Sequence, residues 1–156
     1  MMESFSSMKK KEYYKEIKIE RVAFYGYGII TRFCIKNSDV VLTELNGNTD
    51  ILSQSLRSPN GEMTTYILNK SNEEQRIKLN YSGISNHKFF LYRVTEVEVV
   101  ETNYKMNHVQ ELNIRNGEEI ILAIPKQSIC TLTNMKVLHE DPAKQMIGKK
   151  NSSLRR

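Results

Sequence analysis

The chain has 156 residues, 39% of them hydrophobic and 26% charged, which is the size and balance of one folded domain. Trp is absent, and the 7 Gly and 3 Pro are too few for a collagen-like or low-complexity protein. The formal charge of +5 points to nucleic acid only until it is located. Glu12 to His139 holds equal numbers of basic and acidic residues. The excess sits in Lys9, Lys10 and Lys11 and in Lys144, Lys149, Lys150, Arg155 and Arg156. Binding a phosphate backbone needs several cations on one folded face, so solvated tails are expected and a nucleic-acid partner is not.

The N-terminal "SSMKKKEYYKEIKIERVAF" places Met8, Tyr14, Ile17, Arg21 and Phe24 at helical spacing, with Tyr13 beside them. This predicts a helix to about residue 21, broken by "YGYG". Residues 1–9 are expected to be disordered. After Gly28 the texture turns to β. "IITRFCI" and "DVVLTEL" read as strands around the turn "KNSD". "NGNTD" reads as a turn. "ILSQSLR" and "EMTTYIL" flank "SPNG", whose Asn60-Gly61 is a hairpin signal because Gly accepts positive φ.

"NKSNEE" is a further turn. "QRIKLNY" alternates cleanly, with Ile77, Leu79 and Tyr81 inward and Arg76, Lys78 and Asn80 outward. "KFFLYRVTEVEVVE" reads as one long apolar strand or two, and "TNYKMNH" as a loop. "VQELNIR" and "EEIILAI" flank Asn116-Gly117, a second expected hairpin. "SICTLT" closes the domain, and 134–156 is expected to be a flexible basic tail.

Eight or nine strands joined by short turns predict a mainly β fold. The expected form is an antiparallel two-sheet β-sandwich over residues 10–133, with one N-terminal helix covering an outer face.

Residues that could carry chemistry are few. Cys34 and Cys130 stand in apolar runs and are expected to be buried free thiols. No Cys or His pair has zinc-ligand spacing, so no metal or cofactor is expected, and His87, His108 and His139 lie far apart. Glu96 and Glu98, like Glu118 and Glu119, fall on strand or turn positions where a solvated face is the plain reading. No nucleophile elbow, phosphate loop or Ser/His/Asp order is present. No apolar run approaches the ~20 residues that span a bilayer, and "MMESFSSMKKKEYY" does not read as a signal peptide. The sequons Asn69-Lys70-Ser71 and Asn151-Ser152-Ser153 are then expected to be chance matches.

The order of these pieces resembles the C-terminal β-sandwich of clan A (β/α)8-barrel glycoside hydrolases of the family 30, 39 and 79 type. "EYYKEIK" is similar to the last barrel helix, "NSDVVLTEL" to an early strand, "PNGEMTTYILNKSNEEQRIKLNY" to the central hairpin, and "AIPKQSICTLT" to the closing strand. The match spans roughly residues 10–133. The resemblance implies that Asn69 ends a core strand and that its amide holds the following turn. It carries no catalytic residue. Retaining enzymes of that clan use two carboxylates about 5–5.5 Å apart at barrel strand ends, and a barrel takes about 250 residues.

Three functions follow as expectations. The first is a non-catalytic accessory sandwich, or the product of a truncated or split glycosidase, packing on a barrel partner through Tyr13, Tyr14, Phe24, Tyr25 and Tyr27. The second is a free-standing carbohydrate-binding module, for which Tyr25, Tyr27, Tyr92 and Tyr104 are the aromatic candidates. The third, a small hydrolase or lyase, has no motif behind it.

Overall fold

The computed structural model describes residues 25–44, 49–85, 87–95, 97 and 108–136. Among these, a helix over residues 25–33 (α1) precedes eight strands. They are β1 (Asp39–Val41), β2 (Ile51–Arg57), β3 (Met63–Asn69), β4 (Gln75–Asn80), β5 (His87–Val94), β6 (His108–Ile114), β7 (Glu119–Ile124) and β8 (Ser128–Thr133). A six-stranded sheet has the order β1-β2-β3-β8-β5-β6, and β4 and β7 form a second sheet. Every pairing is antiparallel. The expected β-sandwich with a leading helix is therefore the fold.

The inner layer follows from alternation. Met63 and Ile67 of β3, Phe89 and Leu91 of β5, and Cys130 and Leu132 of β8 point one way from the large sheet. They meet Leu122 and Ile124 of β7 and the half-buried Ile77, Leu79 and Ile120 of the small sheet. Tyr81 closes this core and stacks on Phe89 at 5.4 Å between ring centres. Its hydroxyl donates to Thr65 Oγ1 at 2.6 Å, and Thr65 shares a 2.8 Å hydrogen bond with Ser55 Oγ. Burial pushes the Tyr81 phenol up to about 12, against the opposing pull of that bond to Thr65.

The other face of the large sheet is covered by α1. Ile29 and Phe33 pack on Phe90, Tyr92, Val94 and Met135, with Tyr25, Tyr66 and Ile129 at the margin. The Tyr66 hydroxyl donates to the Ile30 carbonyl at 2.8 Å and ties helix to sheet. Met135 is buried here, and Asn134 Oδ1 accepts the Met63 amide at 3.0 Å. Ordered packing thus continues past the boundary expected at Thr133.

The helix corrects the reading of "YGYGIITRFCI". Its two glycines were expected to end a helix and its β-branched residues to start a strand, and instead Gly26, Gly28, Ile29, Ile30 and Thr31 lie within α1. The energetics decide it. Two helical glycines cost about 2 kcal/mol, whereas burying Ile29 and Phe33 is worth on the order of 3–6 kcal/mol. Gly26 has a further use, since a Cβ there would stand 3.3 Å from Ile129 Cδ1, so the glycine lets the helix sit close to β8. The helix expected up to residue 21 lies outside the described residues.

The second Asn-Gly pair also departs from expectation. Arg115-Asn116-Gly117-Glu118 is a turn closed by the Glu118 amide on the Arg115 carbonyl at 3.1 Å, with Gly117 at φ 73°. Its flanks are not a hairpin. β6 pairs with β5 and β7 pairs with β4, so this turn carries the chain from one sheet to the other. The "DVVLTEL" strand is shorter than its sequence suggests, with pairing only over Asp39–Val41.

Candidate interaction face

The chain crosses between the sheets four times, and these crossings are tied together in pairs. At one end, Asn69 is fully buried. Its amide nitrogen lies 2.9 Å from the Glu73 carbonyl, 3.1 Å from that of Ile124 and 2.9 Å from that of Pro125. Its oxygen accepts the Ser71 amide at 3.0 Å and the Ser71 hydroxyl at 2.8 Å. The Gln127 amide donates to the Ser71 carbonyl at 3.0 Å, and its side chain to Asn72 Oδ1 at 2.7 Å. Asn69 thus holds the turn that follows it, as the resemblance implied, and clamps β7 as well. An amide engaged on both atoms in the interior cannot accept a glycan.

At the opposite end, the Gly117 amide donates to the Tyr81 carbonyl at 2.8 Å and the Gly83 amide to Asn116 Oδ1 at 2.8 Å. Asn80 Nδ2 donates to the Gly117 carbonyl at 3.1 Å. Both ends of the small sheet are therefore fixed to the body, which a two-stranded sheet needs, being marginal alone.

The aromatic candidates separate on this frame. Tyr13, Tyr14, Phe24 and Tyr104 lie outside the described residues. Tyr25 is half-buried against the helix-side core. Tyr92 is buried and tilted against Phe33 at 4.8 Å, which removes it as a sugar platform. Tyr27 is 74% exposed on the outer side of α1. Ile30, one turn on, is 39% exposed, and Cys34 at the end of the helix is exposed too. That exposure corrects the expectation of a buried thiol, which holds for Cys130.

Beside α1 the large sheet exposes further apolar side chains on β1 and β2. Val40 lies opposite Leu56, and Leu52 opposite Leu68. Val40 and Leu52 are exposed, while Leu56 and Leu68 are half-buried. Leu68 is in turn opposite Ile129, the residue under Gly26. The register therefore sets this strip against the helix. Sequence reasoning found Tyr27 but missed this strip. The i, i+4, i+8 spacing of Tyr25, Ile29 and Phe33 fixes the inner side of α1 and leaves Tyr27 and Ile30 outside.

The charged groups show no convergence. Among the described residues, no group of three or more His, Cys, Asp or Glu side chains could hold a metal. Glu119 pairs with Lys78 at 2.9 Å on the exposed side of the small sheet, and Glu118 Oε2 accepts the Arg115 amide. Glu111 bonds Lys88 and lies 3.1 Å from His108 Nε2. The Lys88 hydrogen bond holds its carboxyl below the usual range. Glu96, Glu98 and His139 lie outside the described residues. Among those residues no helix is long and apolar enough to cross a membrane.

No protein-family model matches the sequence, and no curated protein matches it. Solved structures do. A GH30 endoxylanase from Clostridium papyrosolvens C71 aligns with a TM-score of 0.58 at 18% identity, over 69% of this chain and 26% of that one. The GH30 subfamily 8 xylanase Xyn30A from Clostridium acetobutylicum gives 0.56 at 12% identity, over 68% and 26%. A family 44 xyloglucanase from Paenibacillus polymyxa gives 0.51 at 9% identity, over 60% and 18%. This chain spans about a quarter of the length of the two GH30 enzymes. It has the fold of a partial domain of these glycoside hydrolases, an antiparallel sandwich and not their catalytic barrel.

Proposed function

We propose that this chain is a non-catalytic accessory β-sandwich that packs on a glycosidase barrel domain and stabilises it. The contact is the outer side of α1, Tyr27 and Ile30, together with Val40 and Leu52 on the strip beside it. The observation that carries the reading is the exposure of Tyr27 and Ile30 on the helix together with Val40 and Leu52 on the sheet beside it. The fold likeness supports it, because the matched structures contain about three times as much chain again outside the matched part.

The test mixes the purified chain with a GH30 catalytic barrel produced without its own sandwich. A rise in the barrel's melting temperature on addition of the chain is the expected result. Chromogenic glycosides and xylan are expected to stay intact with the chain alone, and turnover would overturn the non-catalytic assignment. A second reading, a carbohydrate-binding module, is favoured only by the exposed Tyr27 ring. Calorimetric titration with soluble xylan and xyloglucan tests it, and binding lost in Tyr27→Ala would establish it.

A further inference from the structure

We infer that Asn60 is a site of spontaneous deamidation and isoaspartate formation, and that Asn116, in the same Asn-Gly dipeptide, is protected by the fold. The inference is independent of the proposed function. In the reaction the Gly61 amide nitrogen, once deprotonated, attacks the Asn60 side-chain carbonyl carbon. A nitrogen–carbon bond forms, the bond to the side-chain nitrogen breaks, and ammonia leaves with the proton. Water then opens the five-membered succinimide at either carbonyl, giving aspartate or isoaspartate, with no change of oxidation state.

Ring closure needs three things: a nitrogen free to lose its proton, a carboxamide free to swing onto it, and no side chain on the attacking residue. Both glycines meet the last condition, with open space around each. Both attacking amides are hydrogen-bonded, so the sites are separated by the carboxamide and by how far along the chain the amide's partner lies. At Asn116 the side-chain oxygen is held by the Gly83 amide at 2.8 Å, and the attacking Gly117 amide is held by the Tyr81 carbonyl at 2.8 Å. Asn80 Nδ2 fixes the Gly117 carbonyl at 3.1 Å. These partners belong to the β4–β5 crossing, so freeing them means undocking two segments.

At Asn60 the ties are local to the tip of the β2–β3 hairpin. The Gly61 amide donates to the Ser58 carbonyl at 2.9 Å, and the Asn60 amide to Ser58 Oγ at 3.2 Å. Asn60 is exposed, and its carboxamide makes no hydrogen bond among the described residues. Conversion places a carboxylate near Glu62. In the isoaspartyl form it also adds a methylene to the main chain between Ser58 and Glu62, whose 2.8 Å bond closes the hairpin.

The experiment incubates the full chain at mildly alkaline pH, folded and in urea. Conversion is followed by peptide mapping, with isoaspartyl methyltransferase labelling to mark isoaspartate. In the folded chain Asn60 is expected to convert several-fold faster than Asn116, and in urea the two rates are expected to converge. Equal or faster conversion of Asn116 in the folded chain overturns the inference. So does an Asn60 that converts in urea but not in the folded chain. A third pair, Asn46-Gly47, lies outside the described residues, and the map reads it separately.

Discussion

Replacing Asn69 by alanine tests whether one side chain joins the two sheets. The amide nitrogen has two hydrogens shared among three carbonyls, and the oxygen accepts twice from Ser71. The residue is fully buried, so water cannot substitute on the Ile124 side. Each buried group left without a partner costs about 1–3 kcal/mol, and Ser71, being half-buried, recovers part of its loss from water. The expected loss is about 3 kcal/mol, a large part of the roughly 5–15 kcal/mol available to a domain. At a urea slope of about 1.5–2 kcal/mol/M, the midpoint falls by ~1.5–2 M. Asn69→Asp adds a signature that a cavity alone cannot give. Its carboxylate faces three carbonyls, so its folded pKa rises above the unfolded value of about 3.9. The charge penalty is absent in acid and grows as pH rises from about 4. The protonated carboxyl has one hydrogen where the amide has two, so N69D is expected to lie about 1 kcal/mol below the wild-type chain at pH ~3 and further below it at pH ~7. A midpoint drop under ~0.5 M for N69A, or a pH-independent N69D difference, would refute the clamp.

Other outcomes follow from the same packing. Gly26→Leu forces a side chain against Ile129 and is expected to cost about 1–3 kcal/mol. For Gly26→Ala, the gain in helix propensity of about 1 kcal/mol is offset by the 3.3 Å contact. Thermal melts separate the two variants. Tyr81, raised from 10 to about 12, contributes stability that is complete below pH 10 and is lost as pH rises toward 12. That loss is on the order of 2–3 kcal/mol and is expected to vanish from the alkaline limb of Tyr81→Phe. A thiol reagent is expected to label Cys34 at once and Cys130 only after unfolding. Simultaneous labelling would contradict the burial of β8.

The strands were legible because each buried pattern is local. "QRIKLNY" states its inward face by alternation, while "SICTLT" is buried along most of its length, and neither strand names its partner. α1 was not, because glycine and β-branched residues argue against a helix one residue at a time. What stabilises it is tertiary, the fit of Tyr25, Ile29 and Phe33 onto β5 and β8. Asn116-Gly117 shows the same limit. The dipeptide specifies a turn, and nothing within reach of it specifies that β7 pairs with β4 rather than β6. Asn69 was assigned its turn through resemblance. Its second partner, the β7 end, is 55 residues away and became visible only in three dimensions. The strip of Val40, Leu52, Leu56 and Leu68 likewise exists only once three strands stand side by side.

The central claim is that the outer side of α1 and the strip beside it form a docking surface. Calorimetric titration of a sandwich-free GH30 barrel into this chain and into its Tyr27→Glu/Ile30→Glu variant tests it most directly. Both positions are exposed, so the variant is expected to melt with the wild-type chain. Saturable binding by the wild-type chain, lost in the variant, is the predicted result. An absence of binding, or equal binding by both proteins, would contradict it.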